Sequence, residues 1–350
     1  MIINNSRADT YTDCSRKYYW SYVHGGTGLR PQRSNDNLIF GEITHAALAR
    51  MYSGEEIDDV LQNYRPDALA LLDFDNLDFD VKNKWLDNLD QIDSLVRAYD
   101  KWRQDNDTFS VLQVETEGFV KLGETCYQCG RPYQDNSLDA AFSPEVCIDC
   151  DSPIHYLAFR ADLAVNDGGI IRIVDHKTAA SAGALYLESW HYSMQMLGYV
   201  YGYGKALGTN VGGYIVNILR KLKTLDKTTK QCPTCRNGVR KRVGCVECGG
   251  AGSVGIDPPV PFSRESESVP QVRLDMFVQS RIGVANAIGS DQTWTPNYKA
   301  CFARGKCQFL ALCWNNPGDW QNPPDSLLLD FELRPADYVD TRALIKEEMD

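Results

Sequence analysis

The chain has 350 residues, 43% of them apolar and 24% charged, with 27 Gly and 15 Pro. Those figures exclude a disordered, collagen-like or disulfide-stapled miniature protein and leave one large domain or two ordinary ones. The formal charge of −11 argues against a uniformly basic nucleic-acid binder, so any contact with DNA must come from local patches.

The N-terminal segment, Met1-Ile-Ile-Asn-Asn-Ser6-Arg7, carries no signal-peptide core, and no apolar run approaches bilayer length, so the expectation is a soluble cytoplasmic protein with no membrane partner. Residues 6–106 read as mainly helical. Gly41-Glu-Ile-Thr-His45-Ala-Ala-Leu-Ala-Arg50 opens an amphipathic helix, and taken alone His45 is the kind of helical histidine that is more often structural than a ligand. Residues 54–107 hold 15 Asp or Glu against 6 Lys or Arg, a solvated acidic face expected to lie away from any DNA channel. Val111-Leu-Gln-Val-Glu115-Thr-Glu117-Gly-Phe119 then reads as a strand carrying acidic residues.

Twelve cysteines follow a pattern. Cys126/Cys129 and Cys147/Cys150 are two Cys-x-x-Cys pairs with 17 residues between them, the spacing of a zinc ribbon over residues 124–153. Two knuckles that each give two thiolates complete a tetrahedral Zn–S₄ site, and a cytoplasmic chain disfavours the alternative of disulfides. Cys232/Cys235 and Cys245/Cys248 are closer, nine residues apart, and predict a compact zinc knuckle over 230–253. Its Cys-x-x-Cys-Gly-Gly-Ala-Gly ending resembles the zinc repeats of the DnaJ chaperone family, a shared knuckle solution over about twenty residues. Four cysteines remain, Cys14 and the evenly spaced Cys301, Cys307 and Cys313. Four thiolates can hold a [4Fe–4S] cluster that staples the termini together, although buried apolar cysteines are common singly.

Between these modules lies a hairpin. Tyr156-Leu-Ala-Phe-Arg-Ala-Asp162-Leu-Ala-Val165 and Ile170-Ile-Arg-Ile-Val-Asp175-His-Lys177 flank Asn166-Asp167-Gly168-Gly169. A Gly168-Gly169 turn sets Asp162 opposite Asp175. An Asp167-Gly168 turn sets Asp162 opposite Ile173, with Asp175 the diagonal neighbour. Either way the two carboxylates share a face, and Lys177, two residues on, points to it. Paired carboxylates are costly without a cation between them, and hard oxygen donors suit Mg²⁺ or Mn²⁺. A lysine beside that cation could orient or deprotonate an attacking water. On Asp-x-Lys alone, a hairpin neutralised by Lys177 and Arg160 is the plainer reading.

Ser189-Trp-His-Tyr-Ser-Met-Gln195-Met-Leu-Gly-Tyr199 puts Gln195 and Tyr199 four apart on one helix face. After the strand Gly213–Leu219, residues 220–242 hold 9 Lys or Arg against one Asp. In that segment Arg236, Arg240, Lys241 and Arg242 could grip phosphates. Tyr18, Tyr19, Trp20 and Trp190 are candidates to stack on bases, though core packing suits most of them better. Beyond residue 320 the chain reads as a loop and then an acidic helix from about Asp340 to Asp350.

The order Gly-x-x-x-His, strand Glu, strand Asp, Asp-x-Lys, Gln-x-x-x-Tyr resembles the RecB-like branch of the PD-(D/E)XK nucleases. The iron–sulfur members of that branch, among them the nuclease domains of AddB-type helicase–nucleases and RecB-like CRISPR adaptation nucleases, carry one cysteine before these motifs and three after. The resemblance spans roughly residues 6–314. It implies an α/β restriction-endonuclease-like core, a central mixed sheet flanked by helices, forming a single nuclease domain over residues 1–350 with two zinc insertions. His45, Asp162, Asp175 and the His176 carbonyl would hold Mg²⁺ or Mn²⁺. Lys177 would be catalytic, Gln195 and Tyr199 would position the strand, and Glu115, with Glu117 as its rival, would be the strand acid. Cys14, Cys301, Cys307 and Cys313 would hold the [4Fe–4S] cluster. Here the chain departs from the usual Cys-x-x-Cys-x₅-Cys ending, since its first interval is three residues longer. The activity implied is a DNA exonuclease on ends or single strands, in recombination, repair or CRISPR adaptation, within a complex that would supply a protein partner. The alternative is a silent nuclease fold that binds DNA ends or a partner without cutting.

Overall fold

The computed structural model describes residues 1–32, 36–133, 146–221, 228–231, 253–256, 261–303, 305–315 and 319–335. In chain order the elements are β1 (Ile2–Ile3), α1 (Asn5–Asp13), α2 (Ser15–Tyr22), β2 (Leu29–Pro31), α3 (Asp36–Tyr52), α4 (Ile57–Leu71) and α5 (Phe79–Asn106). The middle of the chain gives β3 (Ser110–Lys121), β4 (Tyr156–Asp167), β5 (Ile170–Ala179), α6 (Ala184–Ser189), α7 (Met194–Leu207) and β6 (Val211–Arg220). Then come β7 (Thr228–Gln231), β8 (Ser253–Ile256), β9 (Phe262–Ser268), α8 (Gln271–Ser290), α9 (Leu310–Trp314), α10 (Asp325–Leu328) and β10 (Phe331–Leu333).

The helices form where the apolar spacing asks for them. Along α5 the buried side chains Trp85, Leu89, Ile92, Val96 and Tyr99 recur every three or four residues, the stripe of a helix laid on a core. Helix α7 starts at a serine cap, with the Ser193 hydroxyl accepting the Met196 N–H at 3.3 Å, and stops at Gly208, whose φ of +60° a residue with a Cβ rarely adopts. Arg65 of α4 pairs with Asp90 and Asp93 of α5, and Arg97 with Asp58, so part of the acidic block is neutralised between its own helices.

The central sheet is mixed and has six strands. β3 runs antiparallel along the full length of β4, from Ser110 opposite Asn166 to Lys121 opposite Tyr156. The other edge of β4 is shared. Its start pairs in parallel with β1, Ile2 opposite Tyr156, and its end pairs antiparallel with β5, Asp167 opposite Ile170 to Leu163 opposite Val174. β5 continues in parallel with β6, and β9 closes the sheet antiparallel to β6. The hairpin thus turns on Gly168-Gly169, both with positive φ, which selects the first of the two registers the sequence allowed.

Helices cover both faces. On one, α1, α7 and α8 pack over Phe159, Ala161, Ile173, Tyr214 and Val216. On the other, α3, α4 and α5 pack over Val165, Val174, Ile215 and Leu219. Burying each large apolar side chain contributes about 1.5–3 kcal/mol, so the two covered faces hold the sheet rigid beneath the side chains it presents. A third, smaller core joins Trp20 and Leu29 to Phe309 and Leu312, beside the ribbon of β2 and β10. Among the described residues no helix is long and apolar enough to cross a membrane.

Candidate active site

The β4–β5 ladder ends at Leu163 opposite Val174, one pair short of Asp162 and Asp175. The strands part at that point, and the two carboxylates stand at the fork. Asp175 is 2% exposed and its Oδ2 lies 2.7 Å from Lys177 Nζ. Asp162 Oδ2 accepts the His176 backbone N–H at 2.6 Å, while its Oδ1 lies 3.1 Å from His45 Nδ1. His45 reaches the fork because α3 lies against β5: a Cβ on Gly41 would sit 3.4 Å from Thr178 Oγ1, and His45 follows one turn later on the same side of the helix.

Burial and charge divide the two acids. Burial raises Asp175, which the Lys177 ammonium opposes and the Asp162 charge reinforces, and its pKa is pushed up to about 6. Burial works the same way on Asp162, but the His45 hydrogen bond and charge, with the His176 N–H, hold it well below the usual carboxylate range. Burial opposes charge on His45 and on Lys177 alike, and in both the facing carboxylates win and raise the pKa. At the fork two buried carboxylates therefore face two cationic side chains, His45 and Lys177. Oxygen donors from two aspartates with an imidazole beside them fit a hard divalent cation.

The remaining predicted residues divide by position. Gln195 Nε2 donates to Tyr199 Oη at 2.7 Å. Burial and the Asp175 and Asp162 charges raise the Tyr199 pKa, so the phenol stays neutral beside the carboxylates. Glu115 falls opposite Asp162 by register, between Val114–Leu163 and Thr116–Ala161. Its φ of +51° marks an irregular strand, and its carboxylate accepts from Arg160 Nε at 2.7 Å. Glu117 pairs directly with Arg160 and is exposed.

The His176 ring turns the other way, into a polar network that reading the sequence did not anticipate. Asn217 Nδ2 lies 2.9 Å from His176 Nδ1 and 2.6 Å from Tyr99 Oη. Arg264 donates to Asn217 Oδ1 at 3.3 Å and is ion-paired with Asp107, and the His176 ring stacks on Tyr52 at 5.5 Å. Burial pushes the His176 pKa down to about 3, so the ring is neutral. An Asn inside an otherwise apolar strand was the available signal. Trp190 and Tyr186 also belong here: Lys177 Nζ lies 5.4 Å from the Trp190 ring centre, and Tyr186 meets that ring edge-on. Tyr18 and Trp20 are buried core residues, as their packing suggested.

The cysteines form two different arrangements. Cys126, Cys129, Cys147 and Cys150 bring their sulfurs within 4.8 Å of one another, with Cys126–Cys150 at 3.5 Å and Cys129–Cys147 at 3.7 Å. A Zn–S distance near 2.3 Å implies a tetrahedron edge of about 3.8 Å, so these thiols fit a single metal ion. The two knuckles repeat each other. Cys126 and Cys147 donate their N–H to the carbonyls of Arg131 and Ser152, and a residue of positive φ, Gly130 or Asp151, sits four after each first cysteine. The module caps the β3–β4 hairpin. Among the described residues it is the one tight four-cysteine group.

Cys14, Cys301, Cys307 and Cys313 lie near one another but do not close to that spacing. Asn297 links two of them, its N–H on Cys14 Sγ at 3.2 Å and its carbonyl 3.8 Å from Cys301 Sγ. Burial raises Cys313 to about 11, and Cys307 and Cys14 add to the rise there and at Cys301. The expected second knuckle (Cys232, Cys235, Cys245, Cys248), the basic residues Arg236, Arg240, Lys241 and Arg242, and the C-terminal acidic helix lie outside the described residues.

A carboxylate pair at a sheet fork, followed by Asp-x-Lys on the second strand, is the arrangement after which one family is named. The family model of the PD-(D/E)XK nuclease superfamily matches residues 3–313, and the chain belongs to that superfamily. Comparison with curated proteins returned no match.

Proposed function

We propose that the protein is a divalent-metal-dependent DNA nuclease of the RecB-like, iron–sulfur branch, acting on ends or single strands in recombination, repair or CRISPR adaptation. One observation carries the reading: two buried carboxylates at the sheet fork with the Lys177 ammonium 2.7 Å from one of them. Asp162, Asp175, His45 and the His176 carbonyl would hold Mg²⁺ or Mn²⁺, which supplies Lewis-acid stabilisation of the phosphorane-like transition state. The Lys177 ammonium orients the attacking water and stabilises the charge that builds on the phosphate as the new P–O bond forms and the leaving P–O bond breaks, while the water's proton passes to solvent. Tyr199, braced by Gln195, offers a neutral donor to the phosphate. Arg160 draws the Glu115 carboxylate toward itself, so Glu115 serves the site from its margin.

The same reading puts zinc on Cys126, Cys129, Cys147 and Cys150, and on the second set of four. It puts a [4Fe–4S] cluster on Cys14, Cys301, Cys307 and Cys313. A cubane takes each thiolate on a different iron, so its ligands stand wider than the edge of a one-metal tetrahedron.

The test is incubation of anaerobically purified protein with 5′- and 3′-labelled single- and double-stranded DNA in Mg²⁺ or Mn²⁺, beside Lys177→Ala. Cleavage that falls by roughly 10²–10⁴-fold in the variant is expected, and the label that shortens first gives the polarity. No cleavage by metal-loaded wild-type protein would overturn the nuclease in favour of a fold that binds DNA ends without cutting.

A further inference from the structure

A groove of about 380 Å³ opens beside the C-terminal cysteines, walled by Tyr298, Phe302, Lys306, Leu310, Trp314 and Asn315. It is not the space between the four thiols, because of these only Cys301 reaches its wall. Its aromatic rings face solvent: Phe302 and Trp314 are each 66% exposed and Tyr298 is 58% exposed. Tyr298 and Trp314 meet edge to face with centroids 5.9 Å apart. Exposing three large rings on a short stretch of chain costs burial energy, and such patches mark contact surfaces. The charge at the groove has one sign. Lys306 lines it, Lys299 is exposed between Tyr298 and Cys301, and among the described residues no carboxylate lies on its wall.

From this we infer that the groove is a subsite for single-stranded nucleic acid, with unpaired bases stacking on Trp314 and Phe302 and a backbone phosphate on Lys306. The choice of nucleic acid rests on the proposed nuclease function; the choice of single strands rests on the groove itself. Aromatic faces bind any unpaired base, whereas in a duplex those faces are already stacked on one another. A protein partner would meet the same rings but would not need the cation, and a duplex would need the cation but not the rings. Of the four rings the sequence offered for stacking, Tyr18 and Trp20 are buried and Tyr19 and Trp190 are half-buried, whereas Phe302 and Trp314 stand open to solvent.

The experiment measures fluorescence anisotropy of a labelled oligothymidine and of a duplex of equal length, in Ca²⁺ with the full chain. The proteins are the wild type, Phe302→Ala/Trp314→Ala, Trp314→Phe and Lys306→Gln, with iron content and thermal unfolding matched. The double variant is expected to bind the single strand roughly 5- to 100-fold more weakly and the duplex with little change. Trp314→Phe should stay near wild type, and Lys306→Gln should reduce the slope of log affinity against log salt by about one. Single-strand affinity that ignores the double variant, or equal losses for both ligands, overturns the proposal. Hydrolysis of bis(p-nitrophenyl) phosphate, which is too small to span the groove, is measured alongside with Lys177→Ala. Ester hydrolysis with indifferent binding sinks the groove alone. Groove-dependent binding without hydrolysis sinks the nuclease alone.

Discussion

The Asp162 carboxylate accepts the backbone N–H of His176 at 2.6 Å, so an acid on one strand is tied to the residue between Asp175 and Lys177 on the next. That bond takes the place of a ladder hydrogen bond where the strands separate. It fixes the distance between the two acids across a gap that no sheet pairing spans. It also aims the other Asp162 oxygen at His45, so a helix and two strands converge on one point.

Acidification should weaken metal binding at this point. The unfolded value of an aspartate is about 3.9, and Asp175 in the folded chain is pushed up to about 6. Between those values the folded chain holds the extra proton, so this group's contribution to stability is full below about 4 and is lost as pH rises through about 6. A metal ion displaces that proton. Mg²⁺ or Mn²⁺ should therefore raise Tm more at about pH 8 than at about pH 5. Equal gains at both would show that Asp175 does not control the site's affinity.

The hairpin, its aspartates and Lys177 were legible because they are local: a two-glycine turn and a period of two place 162, 175 and 177 on one face without help from the rest of the chain. The choice between the two turns needed the ladder itself. The Asn217–Tyr99–Arg264 network was not legible, because its members come from a helix and two strands far apart in sequence and each is an unremarkable residue in its own element. Exposure of aromatics failed for a similar reason. Trp20 and Trp314 look alike in sequence, and only the packing of the small core around Phe309 puts one at 0% and the other at 66% exposure.

The sulfur cage of Cys126, Cys129, Cys147 and Cys150 should account for one tightly held zinc. Cys147→Ser should lose one metal equivalent by thiol-release titration, and its Tm should fall. Cleavage should persist, because the cage sits beyond Tyr156, about 20 Å along β4 from Asp162 at ~3.3 Å per residue. A Cys147→Ser protein with unchanged metal content would remove zinc from this hairpin.

Glu115 and Asp162 should separate when each is neutralised. Asp162 faces His45 and the fork, whereas Glu115 is engaged by Arg160. Asp162→Asn is expected to abolish saturable Mn²⁺ binding by calorimetry, and Glu115→Gln to leave it within a few-fold of wild type. Comparable losses in both would make Glu115 a metal ligand.

Asn217→Leu should act on the site without touching it. The substitution takes the side-chain partner from His176 Nδ1 in a fully buried setting and one partner from Tyr99 Oη, which keeps Tyr52 and Arg264. Leaving buried polar groups unpaired costs about 1–3 kcal/mol, which urea denaturation would read directly. The His176 ring then loses its hydrogen-bond anchor, and its backbone carries both the N–H on Asp162 and the carbonyl proposed as a metal ligand. Outer partners of this kind typically change metal affinity or activity by about 10–100-fold. Metal affinity is the decisive readout, because a purely structural residue would lower stability and leave the Mn²⁺ dissociation constant of the still-folded protein unmoved. Asn217→Asp should bind Mn²⁺ closer to wild type than Asn217→Leu does, because the neutral His176 ring, with no partner at Nε2 among the described residues, can carry its proton on Nδ1 and donate to the carboxylate. If Asn217→Leu binds Mn²⁺ like wild type at reduced stability, the hydrogen bond to the His176 ring does not position the site.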